Sequence, residues 1–148
     1  MVELAFVLIL LMMLLVGTVS AAIAFGRGNS IQNAVREASR FAATLDDVQS
    51  QLAVVIDVAQ AAASGDLDST VPGFFACAAY IPGTPLAATR LTEGSPPALF
   101  MDVCYDDERP ADERRIQVFA GRTTDFNVVI FSLDIDLAYE AAARYERE

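Results

Sequence analysis

The feature that most constrains this chain is an apolar run from Leu4 to Phe25, which contains no charged residue. As an α-helix of about 22 residues it would be roughly 33 Å long, which matches the hydrocarbon core of a bilayer. Leu, Met, Val and Ile surround the whole helix, so lipid or other helices must cover it on every side. The sequence therefore predicts one transmembrane or bundle-forming helix over residues 1–27.

The run differs from a signal peptide. It is too long for a signal-peptide core, no basic residue precedes it, and it lacks a clean small-x-small exit site. Gly17, Ser20 and Ala21 place small side chains on neighbouring faces, where a second helix can approach closely. Such residues are also ordinary in membrane helices, so this packing role is a hypothesis.

A second pattern follows the apolar run, because apolar residues then recur at spacings of three and four, as in an amphipathic helix. They are Ile31, Val35, Ala38, Phe41, Leu45, Val48, Leu52, Val55, Ala59 and Ala63, and the opposite face carries Arg36, Arg40, Asp46, Gln49 and Asp57. Gly26 and Gly28 each weaken the helix by about 1 kcal/mol and mark a kink, and Gly65 supplies a stop. We therefore predict one long kinked helix from near residue 3 to near residue 63, with an amphipathic extension over residues 28–65.

Residues 66–148 have the short apolar runs and Pro/Gly breaks of a small β domain. The predicted strands are Phe74–Ile81, Ala98–Tyr105, Ile116–Ala120, Asn127–Phe131 and a final strand that alternates from Leu133 to Tyr145. A domain this small is only marginally stable by itself, and it gains stability by packing against the amphipathic stripe of the helix. The expected fold class is α+β, with a long N-terminal helix packed against a small antiparallel sheet.

The two cysteines, Cys77 and Cys104, lie on predicted strands that we expect to be adjacent. A disulfide between them would close a loop and stabilise the fold by roughly 3–4 kcal/mol. It would also indicate an extracytoplasmic location. Two free buried thiols are an alternative. A metal pair is the other, although the sequence has neither a His nor a second Cys-x-x-Cys.

Composition narrows the function classes. The net charge of −10 makes nucleic acid a poor partner. The absence of His and Lys removes the commonest general base, the commonest metal ligand and the Schiff-base nucleophile, so we expect neither an enzyme nor a cofactor.

The acidic segment Asp106–Asp112 lacks the spacing of a calcium loop, which favours a solvated loop over a calcium site. The Asp134/Asp136 pair is similarly expected on a solvated strand face, without the cleft that glycosidase chemistry requires.

Several segments carry a family resemblance. Met1–Leu8 (MVELAFVL) resembles the mature start of TadE-like pseudopilins, with a Glu just ahead of a Leu/Val run. Ala24–Arg27 (AFGR) is similar to the signature that ends their membrane helix, and Ala34–Ala43 (AVREASRFAA) to the stretch that follows. Ala143–Glu146 is similar to their closing strand. The resemblance is specific over the first 44 residues and covers the rest only in outline.

The resemblance implies a structural subunit of a type IV-like, tight-adherence pilus with a role in cell adhesion. Such a subunit is held in the inner membrane, trimmed by a prepilin peptidase, and drawn by the assembly machinery into an extracellular filament with copies of itself or other pilins. It also implies that Glu3 neutralises the N-terminal amine of a neighbouring subunit; the alternative is a carboxylate at the membrane interface. The family's Glu usually lies fifth in the mature chain rather than third. Major and minor subunits both fit.

Membrane topology gives two opposed indications. Arg27, Arg36 and Arg40 follow the apolar run, which by the positive-inside rule favours a cytoplasmic domain. A disulfide favours the opposite side, and a basic leader removed from before Met1 would reconcile the two. We expect the C-terminal domain to be extracytoplasmic. The competing hypothesis is a membrane-anchored binding or accessory domain that never enters a filament.

Overall fold

The computed structural model describes residues 2–83, 87–96, 113–128 and 131–145, with the backbone alone described for residues 2, 3, 127, 128 and 131. Two helices precede four strands. These are α1 (Val2–Ala42), α2 (Leu52–Ala62), β1 (Phe75–Ile81), β2 (Thr89–Gly94), β3 (Arg115–Val128) and β4 (Phe131–Arg144). The strands form one antiparallel sheet in the order β2-β1-β3-β4. The predicted α+β class, with a long N-terminal helix and a small antiparallel sheet, is confirmed.

The amphipathic stripe faces the core, as predicted. Its buried members are Ile31, Val35, Ala38, Val48, Leu52, Val55, Ala59 and Ala63. All the polar and charged residues predicted for the opposite face are exposed. The stripe packs with one face of the sheet, through β1 and β3 residues such as Ala76, Ala78, Ile116 and Val118. Burial of this stripe is what joins the two halves of the chain.

The prediction of a single helix to residue 63 is wrong. Helix α1 ends at Ala42, and after a turn α2 packs back along it, so that the Ser30 hydroxyl donates to the Ala63 carbonyl at 3.0 Å. Local side-chain bonds stabilise the reversal: the Thr44 hydroxyl donates to the Phe41 carbonyl at 2.6 Å, and the Asp47 carboxylate accepts from the Ser50 amide. Thr, Ser and Asp compete in this way with helical hydrogen bonds.

The strand predictions are right at the two ends of the domain and incomplete between them. Strand β1 and the alternating strand β4 are confirmed. Strand β2 was not predicted, and β3 is continuous where two short strands were expected. Gly121 lies inside β3, where a Cβ atom would collide with the Leu137 carbonyl and lie 2.7 Å from the Phe75 ring. The predicted strand Ala98–Tyr105 lies outside the described residues.

Candidate assembly surface

The N-terminal half of α1 is an exposed apolar surface. No residue from Leu4 to Phe25 is buried within the chain, and the exposed fraction reaches 73% at Phe6 and Phe25. The helix is long and apolar enough to cross a membrane, whereas the core helix of a soluble protein would be largely buried. We call residues 4–25 the apolar half of α1. It is the feature of the described chain that most requires a partner.

The apolar half is joined to the domain by a closely packed region at Arg27 and Gly28. The Arg27 guanidinium donates to the Thr124 hydroxyl at 2.5 Å, which ties α1 to β3. Gly28 is buried against the ring of Tyr139 on β4. Because α1 passes through this region as one continuous helix, the apolar half extends directly from the folded domain.

Gly26 and Gly28 have different surroundings. A Cβ atom at position 28 would lie 2.5 Å from the Tyr139 hydroxyl oxygen, whereas a Cβ at position 26 would meet nothing within 4 Å. Gly28 is therefore needed for close approach of the sheet to the helix. Helix α1 is not interrupted at either glycine, and the predicted kink there stays a prediction.

The opposite end of the domain is fixed by Tyr145. Its hydroxyl lies 3.0 Å from each of the Leu45 and Asp46 carbonyl oxygens, which belong to the turn after α1. Its ring is 7% exposed and packs edge-on against Tyr80, with the ring centroids 5.5 Å apart. Carbonyl groups in a turn have no partner in a helix or sheet and need other donors. Tyr145 therefore anchors the end of β4 to the helix reversal.

Charges concentrate where the apolar half meets the domain. Arg122 on β3 forms an ion pair with Asp66 at 3.6 Å. Partial burial and the nearby Arg27 lower the pKa of the Arg122 guanidinium, while Asp66 and Asp125 oppose that shift. Two arginines thus lie close together at the boundary of the apolar surface. Arg122 remains charged at neutral pH, because an Arg pKa is far above it.

The predicted assembly residues all belong to α1. Glu3 is part of α1, but its side chain is outside the described part of the structure, so its role stays a prediction. Gly17, Ser20 and Ala21 are three and four residues apart, which places them on one side of the helix. A Cβ atom at Gly17 would meet nothing within 4 Å, so the space beside it is open. A role in helix packing remains a prediction for these three residues.

Cys77 is buried in β1, on the sheet face that also carries Phe75, Ala79 and Phe119. It is not a free thiol in the structure, and its sulfur accepts a hydrogen bond from the Thr92 hydroxyl at 3.5 Å. Cys104 lies outside the described residues. The predicted bridge between the two cysteines is therefore taken up below as a proposal.

A metal site and a glycosidase site, which the sequence did not favour, gain no support from the described residues. Within residues 2–83, 87–96, 113–128 and 131–145, no cluster of His, Cys, Asp or Glu side chains could hold a metal ion. Asp134 and Asp136 are both exposed on β4, and the Asp136 carboxylate accepts a hydrogen bond from the Thr123 hydroxyl at 2.8 Å. The acidic segment Asp106–Asp112 falls outside the described residues.

Comparison with known proteins gives one match. Residues 1–40 match the sequence model of the family described as TadE-like protein, and these residues hold the apolar half of α1 and most of its amphipathic half. No curated protein and no solved structure gave a significant match. The matched family is pilus-associated and structural rather than enzymatic. Over residues 1–40, which carry the exposed apolar surface, this chain is similar to TadE-like proteins.

Proposed function

We propose that this chain is a structural subunit that oligomerises through α1 into an extracellular, type IV-like pilus of the Tad type. The observation that carries the proposal is the apolar half of α1, which has no buried residue along its length while the other half of the same helix is built into the domain. Such a surface needs lipid before assembly and apolar helices afterwards. The TadE-like match covers the same residues and supports this role.

The transfer from membrane to filament cannot be driven by hydrophobicity alone, because lipid tails are as apolar as a bundle of Leu-rich helices. Close packing and polar pairing between helices must therefore supply the free energy that favours the filament over the membrane. Gly17, Ser20 and Ala21 offer a side of α1 that a neighbouring helix can approach closely. Glu3 offers a carboxylate, which costs several kcal/mol in an apolar bundle unless it is paired, and a neighbouring α-ammonium is a suitable partner.

We place the C-terminal domain outside the cytoplasm, first at the inner-membrane surface and then on the filament. A Cys77–Cys104 disulfide would form in that compartment. The absence of a free thiol at Cys77 supports the bridge. The prepilin peptidase and the pilus assembly machinery are the further partners that this role requires.

Shearing of cells that carry the wild-type chain tests the proposal. A filament subunit is released into the sheared fraction and there forms filaments visible by cryo-microscopy, whereas a membrane-anchored accessory domain remains with the membranes. Finding the chain only in membranes would refute the proposed function in favour of that alternative. The ratio of this chain to other pilins in the sheared filaments distinguishes a major from a minor subunit.

A further inference from the structure

Strands β3 and β4 extend well beyond the rest of the sheet. Strand β1 pairs with β3 only as far as Gly121, but the pairing of β3 with β4 continues to Val128 and Phe131. We call the extension, Arg122–Val128 with Phe131–Leu137, the ribbon. None of the described strands pairs with the outer edge of β4, and from Thr124 onward none pairs with the other edge of β3. Among the described residues, the ribbon therefore has two backbone edges with no strand partner.

Two contacts fix the direction of the ribbon. Tyr139 of β4 lies at Gly28 of α1, and Tyr145 lies at the carbonyl group of Leu45, so β4 and α1 run in the same direction. The residues before Tyr139 consequently lie on the N-terminal side of Gly28, beside the apolar half of α1. At about 3.4 Å per residue, Asp136 and Asp134 lie roughly 10 and 17 Å beyond Tyr139.

The ribbon has one acidic face and one apolar face. Asp125 is directly opposite Asp134 in the register, and both residues are exposed, as is Asp136. Like charges in directly opposed positions destabilise a strand pair unless something compensates them. The alternate residues of β4 form the apolar face, where Leu133 is 55% exposed.

Lipid is a poor partner for this structure. Open sheet edges do not occur in the hydrocarbon region, because their N–H and C=O groups would find no hydrogen-bond partners there. Three carboxylates would add a further cost at membrane depth. The ribbon instead matches a protein surface that carries positive charge.

Such a surface exists on α1 itself. Arg36 and Arg40 are exposed on the side of α1 that faces away from the domain. Because every copy carries a net charge of −10, assembled copies repel one another unless acidic and basic surfaces meet. We propose that the ribbon of one copy docks on the Arg36/Arg40 surface of α1 in a second copy, with Asp134 and Asp136 facing the two arginines. This inference rests on the proposed filament and specifies one of its contacts.

The geometry gives the offset between the two copies. At 1.5 Å per helical residue, Arg36 and Arg40 lie about 12 and 18 Å beyond Gly28 in the C-terminal direction. A parallel neighbour must therefore be displaced by about 28 Å along α1, which brings Arg36 to Asp134 and Arg40 to Asp136 at the same time. Since α1 has 41 residues and is about 61 Å long, helices displaced by that distance still overlap along roughly half their length.

Charge reversal in the full-length chain tests the contact. The variants are Asp134→Arg with Asp136→Arg, Arg36→Glu with Arg40→Glu, and all four substitutions together. Each pair is expected to lower the yield of sheared filaments by about tenfold or more, because like-charged surfaces then meet at the interface. The fourfold variant restores complementary charges and is expected to recover filament yield. Asp57→Arg and Arg90→Glu, at exposed positions on α2 and β2, are matched controls expected to assemble normally.

Circular dichroism and membrane fractionation of every variant show whether the chain folds and inserts. Filaments of normal yield from both reversed pairs would overturn the docking contact while leaving the filament proposal intact. Failure of the folded fourfold variant to recover yield would also overturn the contact. Absence of filaments from the wild-type chain would instead refute the proposed function.

Discussion

The hydroxyl of Tyr139 lies so close to Gly28 that a Cβ atom at position 28 would be 2.5 Å from it. This contact joins the last strand of the sheet to the middle of α1. We expect Gly28→Ala to lower the free energy of unfolding by about 1 kcal/mol. The reason is that overpacking costs about 1–3 kcal/mol, which exceeds the gain of about 1 kcal/mol in helix propensity.

Two variants make the Gly28 prediction specific. Gly26→Ala, in open space two residues earlier, should stabilise the chain by up to about 1 kcal/mol through helix propensity alone. Tyr139→Phe removes the hydroxyl oxygen that lies closest to position 28. In a double-mutant cycle, Gly28→Ala should therefore raise the free energy of unfolding when residue 139 is Phe, and lower it when residue 139 is Tyr. The measurement is thermal unfolding of the detergent-solubilised full chain. Stabilisation by Gly28→Ala in the presence of Tyr139 would contradict the argument.

The role of Gly28 shows why sequence patterns predicted the buried faces but not every contact. The stripe from Ile31 to Ala63 was predicted correctly because helical periodicity reports which side of a helix is buried. The same periodicity does not report a chain reversal that keeps the stripe in phase, and Leu45 and Val48 preserve the spacing through the turn after Ala42. From the sequence, Gly28 likewise indicated only a kink, because its contact with Tyr139 depends on the tertiary structure.

The sheet shows the same difference between local pattern and tertiary contact. Strand β4 was predicted because its alternation is long and regular. Strand β2 was not predicted, since it is a short edge strand whose residues are only intermediate or exposed. Two short strands were predicted where β3 is continuous, and Gly121 within β3 allows the Phe75 ring and the Leu137 carbonyl to approach the backbone. The assembly residues Glu3, Gly17, Ser20 and Ala21 were proposed from the sequence and await experiment.

Tyr145→Phe should destabilise the domain by about 1–2 kcal/mol. The substitution removes the hydroxyl that lies 3.0 Å from both the Leu45 and Asp46 carbonyl oxygens and leaves those groups without that donor. The midpoint of thermal unfolding measures the effect. Tyr80→Phe is the matched control, since it removes a hydroxyl from the neighbouring ring and should cost less. Equal effects of the two substitutions would show that the hydroxyl bonds of Tyr145 do not anchor the turn.

Thiol titration should find no free cysteine in the denatured, unreduced protein, since we propose that Cys77 and Cys104 form a disulfide. Reduction should lower the free energy of unfolding by roughly 3–4 kcal/mol, as expected for closure of a loop of this length. The variant with Cys77→Ala and Cys104→Ala is the control, because reductant should not change its stability. Two titratable thiols in the wild-type protein would refute both the bridge and the topology argument based on it.

Glu3→Ala should block filament incorporation while leaving membrane insertion intact. Removing one carboxylate makes the helix more apolar, so insertion is not impaired, but the proposed partner amine of the neighbouring subunit then remains unpaired in the apolar bundle. The measurement compares the amounts of the chain in membrane and sheared fractions, and intact mass establishes the mature start. Asp57→Ala removes an exposed carboxylate from α2, away from both proposed contacts, and should assemble normally. Wild-type amounts of sheared filament from Glu3→Ala would exclude the pairing role, and the assembly energy would then have to come from helix packing alone.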